Sequence, residues 1–181
     1  NGEIKHLSVF AMARLPLLVY LGSRLDDATD CDIYEPRSTI APWIWDEESE
    51  PVDFHFRCEL QGEPTATDAV LIVNASGTTF PIPTELSGLA RYVVEPRDPV
   101  PQVNTVACRA TLGSFERALR SLLGELEQSA KSLKRLHLFA AAPVSVAITL
   151  GRAIGWGIHP NLVTYDLNDG EYHYALEITP P

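Results

Sequence analysis

Few residues in this sequence have the types and spacing that chemistry needs. The nearest approach to a metal-ligand pair is His55-x-x-Cys58, in the stretch 53–60 (DFHFRCEL). Strand alternation puts Phe54, Phe56, Cys58 and Leu60 on one face and His55 and Arg57 on the other, so the pair does not converge. His55 reads as an outward polar residue, and His137, inside a strand, as a satisfied core or seam histidine. Asp26, Asp27, Glu47, Glu48 and Glu50 sit in turn-like sequence and read as solvated loops. No Walker loop, G-x-G-x-x-G, H-E-x-x-H or G-x-S-x-G occurs, and no nucleophile stands beside an obvious base. What remains suits binding, with no catalytic residue, metal or cofactor expected. Eleven arginines against three lysines favour planar contacts to phosphate or carboxylate, although composition bias explains the count equally well. Arg37, Arg97 and Arg109 lie in or beside proline-rich segments and are phosphate candidates. Tyr34, Trp43, Trp45, Trp156 and Tyr165 lie near expected strand ends or loops, where a base can stack for about 1–3 kcal/mol. Trp43 and Trp45 share a face in W-x-W, so at least one of them belongs over a sheet as core.

The elements that must position these residues come in duplicate. Residues 6–25 (HLSVFAMARLPLLVYLGSRL) align without a gap on 135–154 (RLHLFAAAPVSVAITLGRAI). Leu7, Phe10, Ala11, Ala13, Leu21 and Gly22 meet Leu136, Phe139, Ala140, Ala142, Leu150 and Gly151. Each copy is a short apolar strand, a turn of small residues near a proline, and an apolar helix ending in Leu-Gly. Tyr34 is followed nine residues later by Trp43, and Tyr165 nine residues later by Tyr174. Two copies imply two similar halves about a pseudo-twofold seam rather than a solenoid.

Strands are expected at 5–12, 32–35, 43–45, 53–60, 68–75, 91–95, 136–141, 161–166 and 171–178, with a turn at 168–170. Helices are expected from Leu15 to Leu25, briefly at 84–89, over 144–154, and from Ser114 to Leu133 with Ser114 as its cap. The apolar strands alternating with helices define an α/β class with largely parallel sheets. In such sheets ligands bind beyond the carboxyl ends of the strands, where the topology switches. The stretches 11–14, 74–78, 140–145 and 165–168 should reach that rim. This places Met12, Arg14, Ser76, Gly77, Thr78, Ala142, Pro143, Ser145 and Tyr165 among the candidate contacts, with Arg37, Trp45 and Arg109 added by residue type. Helix N-termini after Arg14 and Pro143 would offer N–H groups to an anion. The small residues at the rim either admit another molecule or simply allow tight strand–helix packing.

The formal charge of −10 argues against duplex nucleic acid or an anionic membrane as a partner. Three scattered cysteines make no disulfide frame and fit a reducing cytoplasm. The uncharged run 138–151 is too short for a membrane span and reads as buried core. The first residue is Asn1 and the only methionine is Met12, so the chain reads as a piece of something longer.

The ordered set LSVFAMARLPLLVYLG, DIYEP, W-x-W, VLIVNASGT, LHLFAAAPVSVAITLG, NLVTYD and YHYALEI resembles SAVED domains across about residues 5–179. That resemblance implies a single sensor domain over 1–181 made of two fused CARF-like, Rossmann-like halves, about 1–100 and 101–181. It implies a bacterial, cytoplasmic anti-phage receptor of the CBASS type for a cyclic di- or trinucleotide, which self-associates on binding. It also implies a fused effector, most often an N-terminal nuclease. An enzyme that cleaves such a ligand and a structural module that only dimerises are the alternatives.

Overall fold

The computed structural model describes residues 5–25, 29–36, 43–63, 65–98, 100–155 and 157–179. Arg37 and Trp156, both singled out above, lie outside the described residues. Among the described residues, eight strands and three helices run in the order β1 (His6–Val9), α1 (Leu15–Ser23), β2 (Asp30–Ile33), β3 (Phe54–Leu60), β4 (Asp68–Asn74), β5 (Ala90–Pro96), α2 (Arg109–Ser129), β6 (Arg135–Ala141), α3 (Val144–Arg152), β7 (Asn161–Asn168) and β8 (Glu171–Ile178). A single 3-10 turn at Thr84–Leu86 interrupts the passage from β4 to β5.

β1 and β2 form a parallel two-stranded sheet, and the other six strands form a second sheet in the order β3-β5-β4-β6-β7-β8. Its four central strands are parallel, and β3 and β8 are antiparallel edges. The α/β class is as expected, while the large sheet is mixed and draws strands from both sides of residue 100. The β7–β8 hairpin closes through Asp169 and Gly170, with φ of 51° and 82°. That conformation suits the Asp-Gly pair of a tight two-residue hairpin turn.

β4 is buried along almost its whole length, because helices cover one face and a second apolar layer covers the other. Leu71 and Val73 enter the main core with Phe115, Leu119, Leu122 and Leu138, whereas Val70 and Ile72 join Phe139 and Val93 on the opposite face. Burying each large apolar side chain contributes about 1.5–3 kcal/mol. The outer layer is roofed by Ile82, Leu86 and Leu89 from the β4–β5 passage and by Tyr172 of β8.

The two Leu-Gly motifs meet. A Cβ placed on Gly22 would collide with the Ile148 carbonyl and approach Arg152 N at 3.0 Å. A Cβ on Gly151 would collide with the Val19 carbonyl and approach Ser23 N at 2.9 Å. Val19 and Ser23 hold in the first copy the places that Ile148 and Arg152 hold in the second. The glycines therefore let α1 and α3 touch backbone to backbone.

Two expectations are corrected. Helix α2 starts at Arg109 rather than Ser114 and ends at Ser129. Gly113 is tolerated in its second turn, and Thr111 and Ser114 spend their hydroxyls accepting from Val52 N and Phe54 N, each at 3.0 Å. Residues 43–45 form no strand. Trp45 is core, its indole N–H donating to the Ile33 carbonyl at 3.2 Å, and Asp46 N is held by Ala107 O.

Candidate functional site

The large sheet switches direction between β4 and β6: the chain leaves β4 for β5 on one side and later fills β6 and β7 on the other. Beyond the carboxyl ends of these two strands, Ala75 N and Ser76 N both donate to Ala141 O, at 2.8 and 2.9 Å. This pins the two small-residue turns side by side. A cavity of about 320 Å³ opens over them, floored by Ser76, Ala142 and Pro143 and walled by Leu15, Leu18 and Val106. Ala13, Glu35, Pro36, Val103, Asn104 and Val144 complete it. Its size lies at the lower end of small-molecule sites, about 300–1,000 Å³.

The lining carries one carboxylate, one amide, one hydroxyl and no cationic side chain among the described residues. Ser145 N, in the first turn of α3, donates to Glu35 Oε2 at 2.8 Å. The anion seat expected at this helix is thus real and already taken by the protein's own carboxylate, as the helix dipole favours. Ser145 itself is buried beneath, and its hydroxyl has no hydrogen-bond partner. A space with apolar walls and a few polar edges suits a planar base or a sugar better than a phosphate.

Of the cations, Arg14 sits at the edge between the lining residues Ala13 and Leu15, and Arg109 lines a separate cavity of about 170 Å³ with Asp32. Arg14, capping α1, donates from Nη1 to Asp166 Oδ2 at 2.8 Å, across to the end of β7. Arg109, the first residue of α2, meets Glu47 at 3.0 Å and lies over the Tyr34 ring at 5.6 Å. Tyr34 stacks on Phe10, with centroids 4.6 Å apart and planes 9° from parallel, and Trp43 meets Phe10 edge-on at 5.4 Å. Phe10 keeps 54% of its surface in water. The result is an aromatic shelf one residue along the chain from Glu35.

Of the twelve candidate contacts, the cavity brings together Ser76, Ala142 and Pro143, with Ser145 just under its floor. Met12 is 80% exposed on the loop above α1. A Cβ on Gly77 would face open space. Thr78 turns to a separate cavity of about 490 Å³ with Asn74, Arg57 and Glu95. Tyr165 lies on the outer face of the sheet, stacked on Phe139 at 4.4 Å, with its hydroxyl 2.9 Å from His137 Nδ1. Trp45 is buried away from any ligand face. Glu35 was missed as a candidate, yet a signal existed: the proline after DIYE stops the strand and leaves Glu35 past its carboxyl end.

On the outer face of the sheet, Asp68 accepts from Arg135 Nε at 2.6 Å and lies 3.0 Å from His137 Nε2. Burial alone would raise the Asp68 carboxyl, but hydrogen bonds from Arg135, Thr67 and His137 overcome it and hold it at about 2. His137 is the satisfied histidine expected from sequence. Among the described residues no group of three or more His, Cys, Asp or Glu could hold a metal, and no helix is long and apolar enough to cross a membrane.

A mixed α/β sheet with a cavity at its switch point thus stands beside a duplicated strand–turn–helix unit. Residues 1–178 match the SAVED family, the SMODS-associated and fused to various effectors sensor domain, and the chain belongs to that family. No curated protein matches the sequence. Among solved structures, the Cap4 SAVED/CARF-domain containing receptor of Acinetobacter baumannii with the cyclic trinucleotide 3'3'3'-cAAA overlays with a TM-score of 0.74 at 20% identity, over 99% of this chain and 39% of that one. The same receptor with 2'3'3'-cAAA gives 0.71 at 20% identity, over 97% and 39%. The Moraxella osloensis Cap4 receptor gives 0.58 at 20% identity, over 97% and 37%. The chain spans about two fifths of the length of these receptors.

Proposed function

We propose that this domain is a receptor for a cyclic di- or trinucleotide and acts in bacterial anti-phage defence as the sensor of a longer effector protein. The observation that carries the reading is the cavity at the β4–β6 switch point, in a chain whose SAVED relatives are receptors holding cyclic trinucleotides. The cavity takes one base, and its apolar walls and the acceptors Glu35, Ser76 and Asn104 read the base edge. A second base stacks on the Phe10–Tyr34 shelf, and the phosphates lie along the rim towards Arg14 and Arg109. Met12, Gly77, Pro143 and Ser145 frame the path between, and Arg37, next in sequence after the lining residue Pro36, is a further candidate phosphate contact.

The domain is read as two fused Rossmann-like halves, about 1–100 and 101–181, related by a pseudo-twofold. The reciprocal Gly22 and Gly151 contacts support this symmetry. So do two parallel strand pairs that each carry a stacked phenylalanine and tyrosine, Phe10 with Tyr34 and Phe139 with Tyr165. A ligand bridging the halves selects one arrangement of α1 against α3, which promotes head-to-tail self-association and switches on a fused effector, an N-terminal nuclease, in the cytoplasm. A thermal-shift panel of cyclic di- and trinucleotides tests this. A cognate ligand at 100 times its Kd adds about 2.7 kcal/mol of stability, and silence across a broad panel sinks the reading.

A further inference from the structure

A fourth cavity, of about 440 Å³, lies on the far edge of the large sheet between β3 and α2. It owes nothing to the switch-point site. Arg97, beyond the end of β5, lines both this cavity and the one beside Thr78, and Arg117 lines it from α2. The other arginines among the described residues are spent. Arg14, Arg57, Arg91, Arg109, Arg120 and Arg135 each hold a carboxylate, and Arg24 and Arg152 donate to backbone carbonyls. Arg97 and Arg117 differ. Among the described residues neither guanidinium has a hydrogen bond or an ion pair.

Their isolation is not for want of a partner. Asp53 lines the same cavity, and its Oδ1 accepts from Ser114 Oγ at 3.3 Å rather than from either arginine. Two unpartnered guanidinium forks from separate elements match the oxygens of a terminal phosphate, which accepts bidentate donors from more than one side. We propose that this cavity binds a small molecule carrying a terminal phosphate, independently of the cyclic nucleotide read at the switch point.

Calorimetric titration with inorganic phosphate, with AMP and with a 5'-phosphorylated dinucleotide tests the site on the whole chain. Saturable binding by at least one of the three is expected, with a concurrent shift of the Arg97 and Arg117 side-chain Nε–H signals by NMR. Tighter binding of AMP or the dinucleotide than of phosphate marks the ligand as a nucleotide, and equal affinity marks it as free phosphate. The double variant Arg97→Gln/Arg117→Gln, whose positions are both on the surface, should keep the wild-type circular dichroism and bind at least tenfold more weakly. It should also keep the thermal response to any cyclic trinucleotide that stabilises the wild type, which separates this site from the proposed receptor function. No saturable binding, binding that survives the double substitution, or equal binding of an unphosphorylated dinucleotide or an acidic peptide would overturn the proposal.

Discussion

The molecule carries the same aromatic stack twice and uses it in two ways. Phe10 lies on Tyr34 beside the β1–β2 sheet, and Phe139 lies on Tyr165 beside β6 and β7, with centroid distances of 4.6 and 4.4 Å. Phe10 is 54% exposed and Phe139 is 0% exposed. The difference comes from the chain that continues beyond each unit. β7 turns back through a tight hairpin into β8, which brings Tyr172 over Phe139 while the β4–β5 passage supplies Ile82 and Leu86. β2 runs instead into Glu35 and Pro36, and no third strand joins β1 and β2 among the described residues. One copy has become core; the other keeps its phenylalanine half in water.

Truncating the two phenylalanines should separate these roles most sharply. Phe139→Ala leaves a fully enclosed void and should cost about 3–5 kcal/mol of stability, read by urea denaturation. Phe10→Ala should cost under about 1 kcal/mol of stability and weaken cyclic nucleotide binding by about 1–3 kcal/mol. Equal destabilisation by both would break the comparison.

The helix contact tests whether the two copies are alike where they meet. Gly22→Ala and Gly151→Ala each drive a methyl into a backbone carbonyl of the other helix, and each should cost about 1–3 kcal/mol. Thermal unfolding of the two variants should give similar losses. A large loss at one position alone would deny their equivalence.

Asp68→Asn weakens the polar flank of the buried stack and has no counterpart in the exposed one. With Arg135 half in water, the loss at pH 7 should be about 1–2 kcal/mol. Because the folded carboxyl is held at about 2, below its unfolded value near 3.9, its contribution is complete above pH 4 and disappears as pH falls through 2. Denaturation at pH 7, 4 and 2 should show the wild type and the variant converge only at the acid end. Arg14→Gln should have the smallest effect on stability, under about 1 kcal/mol, since the Arg14–Asp166 pair is largely solvated. Its effect should fall on ligand affinity, about tenfold in a binding titration, for the loss of one charge-assisted hydrogen bond.

Much of the scaffold was legible in the sequence. The repeat, the apolar strands, the Asn168-Asp169-Gly170 turn and the small-residue turns at Ser76 and Ala142 all depend on local periodicity and backbone preference, which a sequence displays directly. The failures have a common cause. Ser114 has the residue type of a helix cap, but its hydroxyl is claimed by Phe54 N, sixty positions away in the chain. Trp45 has the type of a stacking ring, but Ile33 and the core claim it.

The sequence alone determined the α/β class, the duplicated unit and the family, since these rest on patterns repeated along one chain. Only the tertiary structure decided which copy of the aromatic stack stays open, that Glu35 occupies the end of α3, and that Arg97 and Arg117 share a cavity with no carboxylate bound to either. Each of those outcomes depends on which distant segment the folded chain brings to a side chain's hydrogen-bonding and packing positions. A linear pattern shows what a residue can offer; folding decides who takes it.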